Sequence, residues 1–307
     1  MISSSPALIF VVGSLMSSVA IGSELPDSAV AASRTPPDLA ACLDALAQAA
    51  STFALTAPGL MATETLEQRG RRGTIDLLKK ATPADLRKST IHLAEEFRDH
   101  QVISSWALHP AGEGHALHEI RQIESIDSKV IPATEARHAL TIGLASADDK
   151  AKRELLENFE QEELEGAVVD FSQILLLFSR GRHSDYSFAR VRSDSLGDEA
   201  VSVISYRQVS GEEGLTAFHD RKEIHEAIHG EIWLRNGDLL PVRITMNTEE
   251  KLSPKYTVRT QAQVDYTPSP YWLIPAAVTH QQFLNSDVVM ENHLHYADFH
   301  RADRIVP

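Results

Sequence analysis

Residues Gly230 to Ile244 read GEIWLRNGDLLPVRI. Ile232 and Leu234 alternate with Glu231, Trp233 and Arg235, and a second apolar run, Leu239 to Ile244, follows the pair Asn236-Gly237. Alternation at period two marks a strand with one buried face. Asn-Gly between two such runs is a strong short-range hairpin signal, because both turn positions take positive φ. The stretch therefore predicts two antiparallel strands.

The pattern repeats on either side. Strands are expected at Tyr186–Arg192, Glu199–Gln208, Leu215–His219, Ile224–Arg235, Leu239–Met246, Tyr256–Tyr266, Leu273–Phe283 and Val288–Phe299, joined by short Gly, Pro, Asn and Ser links. Parallel pairing needs long crossovers, and none interrupts this half, so the sheet must be mostly antiparallel. Upstream, Val102, Ser104, Trp106 and Leu108 share one face of a strand, Pro110–Gly114 is a turn, and His115–Ser125 is its partner.

Helical spacing occurs in three places. Leu39, Leu43, Leu46, Ala50 and Phe53 give an apolar stripe over Asp38–Phe53. Ser146 with Asp149 makes a capping box before Leu155, Leu156 and Phe159. Val168, Phe171, Leu175 and Phe178 then mark a buried helix over Ala167–Phe178, with a strand as the alternative because short apolar runs are ambiguous by periodicity. Residues 60–94 carry no settled pattern beyond a helix start at Thr82–Asp85. The expected fold class is α+β, one large antiparallel sheet with covering helices.

The first charged side chain is Glu24, and Ala7–Ile21 is mostly apolar, with small residues at Ala20, Gly22, Ala29 and Ala31. This is the pattern of a signal peptide. Residues 1–32 are expected to be a signal peptide and small-residue lead-in. Residues 33–307 then form a single α+β domain with a helical segment at about 146–179. The expected location is periplasmic or secreted, with no stable membrane span after the leader is removed. Cys42 is the single cysteine of the 307-residue chain, so neither an intrachain disulfide nor a cysteine zinc site can form. A net charge of −14 repels phosphate backbones and excludes nucleic acid as a partner class.

His225-Glu226-Ala227-Ile228-His229 matches H-E-x-x-H. On a helix the two histidines chelate zinc with a downstream acid such as Glu249, and Glu226 serves as base; this is the zinc-hydrolase alternative. The segment alternates as a strand, however, which holds His225 and His229 about 13 Å apart, too far to share one ion. No cofactor is expected. His293 and His295 share a strand face, and Trp106, Trp233 and Trp272 are strand tryptophans able to line an apolar space.

The Gly230–Ile244 hairpin, with Asp265-Tyr266, Ser269-Pro270-Tyr271, Ile274-Pro275, Glu291-Asn292 and Tyr296–Phe299, resembles exported bacterial proteins of the outer-membrane lipoprotein-sorting type (LolA/LolB-like) over about residues 185–300. The resemblance implies a curved half-barrel sheet whose concave face is covered by helices, with apolar space for acyl chains between them. The candidate lining residues are Phe171, Leu175, Phe178, Trp233 and Trp272. The function expected is a soluble binding protein for a lipid or other apolar ligand; a structural envelope protein without ligand is the blander alternative.

Overall fold

A computed structural model describes residues 37–71, 91–110, 117–132, 170–211, 215–219 and 222–301. Two chain regions separate by their contacts, Met1–Thr35 and Pro36–Pro307. The leader, the capping box at Ser146, the helix start at Thr82 and the turn at residues 111–114 lie outside the described residues.

Helix α1 spans Leu39–Thr56. Asp38 caps it, its carboxylate accepting from Ala41 N at 2.7 Å. Arg301, from the last strand, donates to the carbonyls of Thr56 and Pro58 at the other end. The buried face comprises Cys42, Leu46, Ala47, Ala49, Ala50 and Phe53. It includes Leu46, Ala50 and Phe53 of the expected stripe, while Leu39 and Leu43 are partly buried. By length and composition α1 could cross a membrane. Here it packs as a core helix: Leu46 and Phe53 are fully buried, and Phe53 meets the ring of Tyr266 edge-on at 6.1 Å.

The strands are β1 (Leu60–Arg71), β2 (Phe97–Pro110), β3 (Leu117–Ile126), β4 (Lys129–Val130), β5 (Tyr186–Leu196), β6 (Glu199–Gln208), β7 (Leu215–His219), β8 (Lys222–Glu226), β9 (His229–Arg235), β10 (Pro241–Lys251), β11 (Thr257–Ser269), β12 (Trp272–Leu284) and β13 (Asp287–Arg301). Eleven of them form one sheet in the order β4-β3-β2-β1-β13-β12-β11-β10-β9-β6-β5; β7 and β8 pair separately. All pairings between the described strands are antiparallel. The fold is α+β, and the sheet is open.

The decisive hairpin forms between β9 and β10, with a different turn. Positive φ falls on Leu239 (58°), not on Asn236 or Gly237. Leu239 N donates to Arg235 O, and the Arg235 guanidinium clasps the Asp238 carboxylate at 3.0 and 2.7 Å. This local ion pair holds a loop wider than the two-residue turn. The single strand expected over Ile224–Arg235 is divided. It breaks at Ala227-Ile228, where Ile228 exchanges hydrogen bonds with Gln208, so β8 and β9 belong to different sheets.

Register places one row of aliphatic side chains across eight neighbouring strands: Val102, Leu66, Leu294, Val278, Val264, Ile244, Ile232 and Ile204. All eight are buried. Because the period is two, one slip in register would turn such a row to solvent. The row is therefore the main determinant of pairing.

A helix of 3₁₀ type, Phe171–Phe178, and a second, Arg180–Asp185, complete the described elements. The expected α-helical stripe is altered by the tighter winding. Side chains three apart eclipse, so Ser172, Leu175 and Phe178 form one buried line and Phe171 with Ile174 another.

Candidate functional site

The Phe171–Phe178 helix reveals how far the sheet curls. At its start, Ser172 donates to Glu119 of β3; at its end, Phe178 meets Tyr206 of β6 edge-on at 4.8 Å. Eight inter-strand steps separate β3 from β6, about 38 Å in a flat sheet at ~4.8 Å per step. Six residues of 3₁₀ helix rise only about 12 Å. Both contacts are possible only if the sheet wraps round the helix, so the helix and α1 lie on the concave face.

The helix is held by polar contacts at one end and rings at the other. Tyr266 Oη donates to Ser172 O at 2.9 Å and accepts from Leu175 N at 3.3 Å. Phe171 tilts against His280 at 5.0 Å, and Phe178 packs among Tyr186, Phe188 and Tyr206.

Beside the helix start is a buried charge cluster. Arg121 grips Glu64 with two hydrogen bonds, at 2.7 and 2.9 Å, and donates to Glu119 at 2.8 Å. Glu119 also accepts from Trp106 Nε1 at 3.0 Å and from Ser172 N and Oγ at 2.8 and 2.6 Å. The side chains of Arg121, Glu64 and Glu119 are 4%, 1% and 0% exposed. Asp170, half exposed, stands 3.6 Å from Arg121. Burial acts to lower the Arg121 pKa, but Glu64 and Glu119 outweigh it and hold the guanidinium well above its usual value. Burial raises the Glu119 carboxyl, against the pull of Arg121. Burial likewise raises the phenols of Tyr266 and Tyr296.

On the other side of the aliphatic row, Gln68, Asn292 and His280 stand side by side on β1, β13 and β12. Asn292 Nδ2 lies 3.0 Å from His280 Nδ1. Burial pulls the His280 imidazole down to about 4, so the ring is neutral near pH 7.

Of the expected lining residues, the structure brings Phe171, Leu175 and Phe178 together under the sheet, all buried. Trp272 is partly buried against the same core, with a positive φ of 88°. Trp233 is not with them. Its neighbours Ile232 and Leu234 face the concave core, so period two sends Trp233 to the opposite face, beside Val201, Val203 and Val242.

The H-E-x-x-H segment is not helical. His225 pairs opposite Thr216 in β8, whereas His229 begins β9 opposite Asn247. The helical turn that would bring His225 and His229 to one ion is not formed. Glu249 is close enough to His229 to act on its charge, while burial and then Arg207 lower the His229 pKa. Among the described residues no group of three His, Cys, Asp or Glu side chains is placed to hold a metal. His293 and His295 are exposed.

Glu64, Glu119, Arg121, His280 and Asn292 are site residues that the sequence reading did not single out. Glu64 had a usable signal: it continues the period-two series Leu60, Ala62, Leu66 and so lies on an apolar face.

The class defined by this geometry is an open, curled antiparallel sheet wrapped round a short helix. No protein-family model matches the chain, and no curated protein is similar to it in sequence. Among solved structures it is similar to a DUF1329 family protein from Desulfovibrio piger, at 9% identity and a TM-score of 0.41, covering 89% of this chain and 96% of that one. It is also similar to a protein domain assigned to outer membrane lipoprotein sorting, from Vibrio parahaemolyticus, at 10% identity and a TM-score of 0.35, covering 86% and 93%.

Proposed function

We propose that this chain is an exported, soluble binding protein that holds a lipid or acyl chain between its curled sheet and the Phe171–Phe178 helix. The observation that carries this reading is the aliphatic row on the concave face, from Val102 to Ile204. Its seven inter-strand steps span about 34 Å along the curve, whereas an eight-residue 3₁₀ helix is about 16 Å long. That helix and α1 together cover the row, whose side chains are buried. An apolar face of this length beneath a helical cover suits an elongated apolar ligand, and such sites are typically apolar clefts with few polar groups. The hairpin resemblance points the same way.

The test is direct. The purified chain is extracted with organic solvent, the extract is examined by mass spectrometry, and a fluorescent acyl probe is titrated into delipidated protein. Copurified lipid and saturable binding are expected; absence of both removes the carrier reading. Export is tested separately by N-terminal sequencing of the mature protein, which should begin between Ser23 and Ser33. Recovery of intact Met1 from the cytoplasm would contradict it.

A further inference from the structure

One end of the concave face is polar in a way that the fold itself does not require. Gln68, Asn292 and His280 form adjacent positions on β1, β13 and β12, and Thr260 and Thr248 continue one pair further along on β11 and β10. All five are buried. Buried polar atoms are nearly always paired, because burial strips away their water. Two atoms here are not. Asn292 Oδ1 and Thr248 Oγ1 are buried and have no hydrogen-bond partner, in residues 0% and 2% exposed. The amide of Asn292 spends one end on His280. Whichever way it is turned, its other end is left unsatisfied.

The charges on this face restrict what can complete that bond. Two cations fall on the concave rows of β1, β2 and β10–β13 among the described residues. Arg98, opposite Gly70, is exposed and has an interaction of its own. Arg301, opposite Leu60 at the far end, is held by the carbonyls of Thr56 and Pro58. Arg121 on β3 is already engaged by Glu64 and Glu119. A carboxylate or phosphate head entering here would lose its water and meet carbonyl, hydroxyl and carboxylate oxygens with no free cation, which is a heavy desolvation cost. A hydroxyl or an amide N–H would instead supply the donor that Asn292 Oδ1 lacks.

We propose that this end of the concave face receives the uncharged, hydrogen-bonding head of an amphiphile, anchored by Asn292, while its chain lies along the aliphatic row. The inference rests on the carrier reading above and narrows it to neutral lipids, in preference to free fatty acids or phospholipid anions. A site that hydrogen-bonds a ligand hydroxyl discriminates strongly against a ligand lacking it, since its own polar atom is then left unpaired.

The experiment compares two ligands with the same chain, monoolein and oleate, by calorimetric titration into the delipidated full chain at neutral pH. Monoolein is expected to bind at least about tenfold tighter. Asn292→Leu should weaken monoolein by about tenfold and leave oleate unchanged. Because that change also strips His280 of its donor, Thr248→Val provides a second, gentler variant. Removing an unpaired buried hydroxyl should raise the melting temperature of the ligand-free protein while weakening monoolein several-fold, a split that a purely structural threonine would not give. Equal affinity for the two lipids, or an unchanged affinity ratio in both variants, overturns the inference and leaves the carrier reading standing. Binding of neither lipid overturns both.

Discussion

Ser172 donates twice to a single oxygen of Glu119, from its backbone N at 2.8 Å and from its hydroxyl at 2.6 Å. That pair ties the helix filling the concavity to β3, near one edge of the sheet. Six residues later Phe178 reaches β6, near the other edge. The curl of the sheet and the seating of the helix are thus one feature, with Glu119 and Phe178 as its two ends.

Arg121 is what makes Glu119 tolerable in the core. Removing one partner of a buried ion pair leaves a charge with neither water nor counter-ion, at a cost of about 3–5 kcal/mol. Arg121→Met is expected to destabilise the chain by about that much, measured by urea unfolding. The triple change Glu64→Leu, Glu119→Leu, Arg121→Met should recover much of the loss. A neutral effect of Arg121→Met alone would show that the cluster is solvated.

Gly230 is demanded by close approach. A Cβ there would sit 2.1 Å from the Thr245 carbonyl oxygen and 3.1 Å from the Tyr206 ring, and Tyr206 Oη donates to that same carbonyl at 2.8 Å. Gly230→Ala should therefore force β9 and β10 apart, with a loss of about 1–3 kcal/mol in unfolding experiments. Gly237→Ala, with open space around it, should change stability by no more than about 0.5 kcal/mol.

His280 gives the fold a sensitivity to acid. Its folded pKa, about 4, lies below the ordinary histidine value of about 6.5. The unfolded chain then binds the proton first, and stability falls as pH drops from about 6.5 towards 4. At ~1.36 kcal/mol per pH unit the loss approaches about 3 kcal/mol. Unfolding midpoints compared at pH 7 and pH 4.5 should show this slope, and His280→Gln should flatten it. An unchanged slope in the variant would place the acid sensitivity elsewhere.

The strands of this protein were legible because one face of each is buried, which prints a period-two pattern: Val102 to Leu108 and Ile232 to Leu234 are examples. Less legible were features set by tertiary contacts. The Asn236-Gly237 turn was overridden by the Arg235–Asp238 ion pair, and the break at Ala227-Ile228 depends on Gln208, distant in sequence. The Phe171 helix was recognisable as apolar, but its 3₁₀ winding was not, because short apolar runs do not fix their own period. Trp233 was misassigned by residue type; its position between Ile232 and Leu234 already put it on the opposite face. Glu119 and Arg121 gave no local sign of being buried, since their burial comes from Ser172, Trp106 and Glu64 on other elements.

The central claim is that an acyl chain lies along the concave row beneath the Phe171 helix. The most direct measurement is photo-crosslinking with a monoacylglycerol carrying a diazirine on its chain, followed by mass-spectrometric mapping. Saturable labelling of concave residues such as Leu66, Val278 and Ile244 is the predicted result. Labelling confined to the opposite face around Trp233 and Val242, or labelling that does not saturate, would contradict the account.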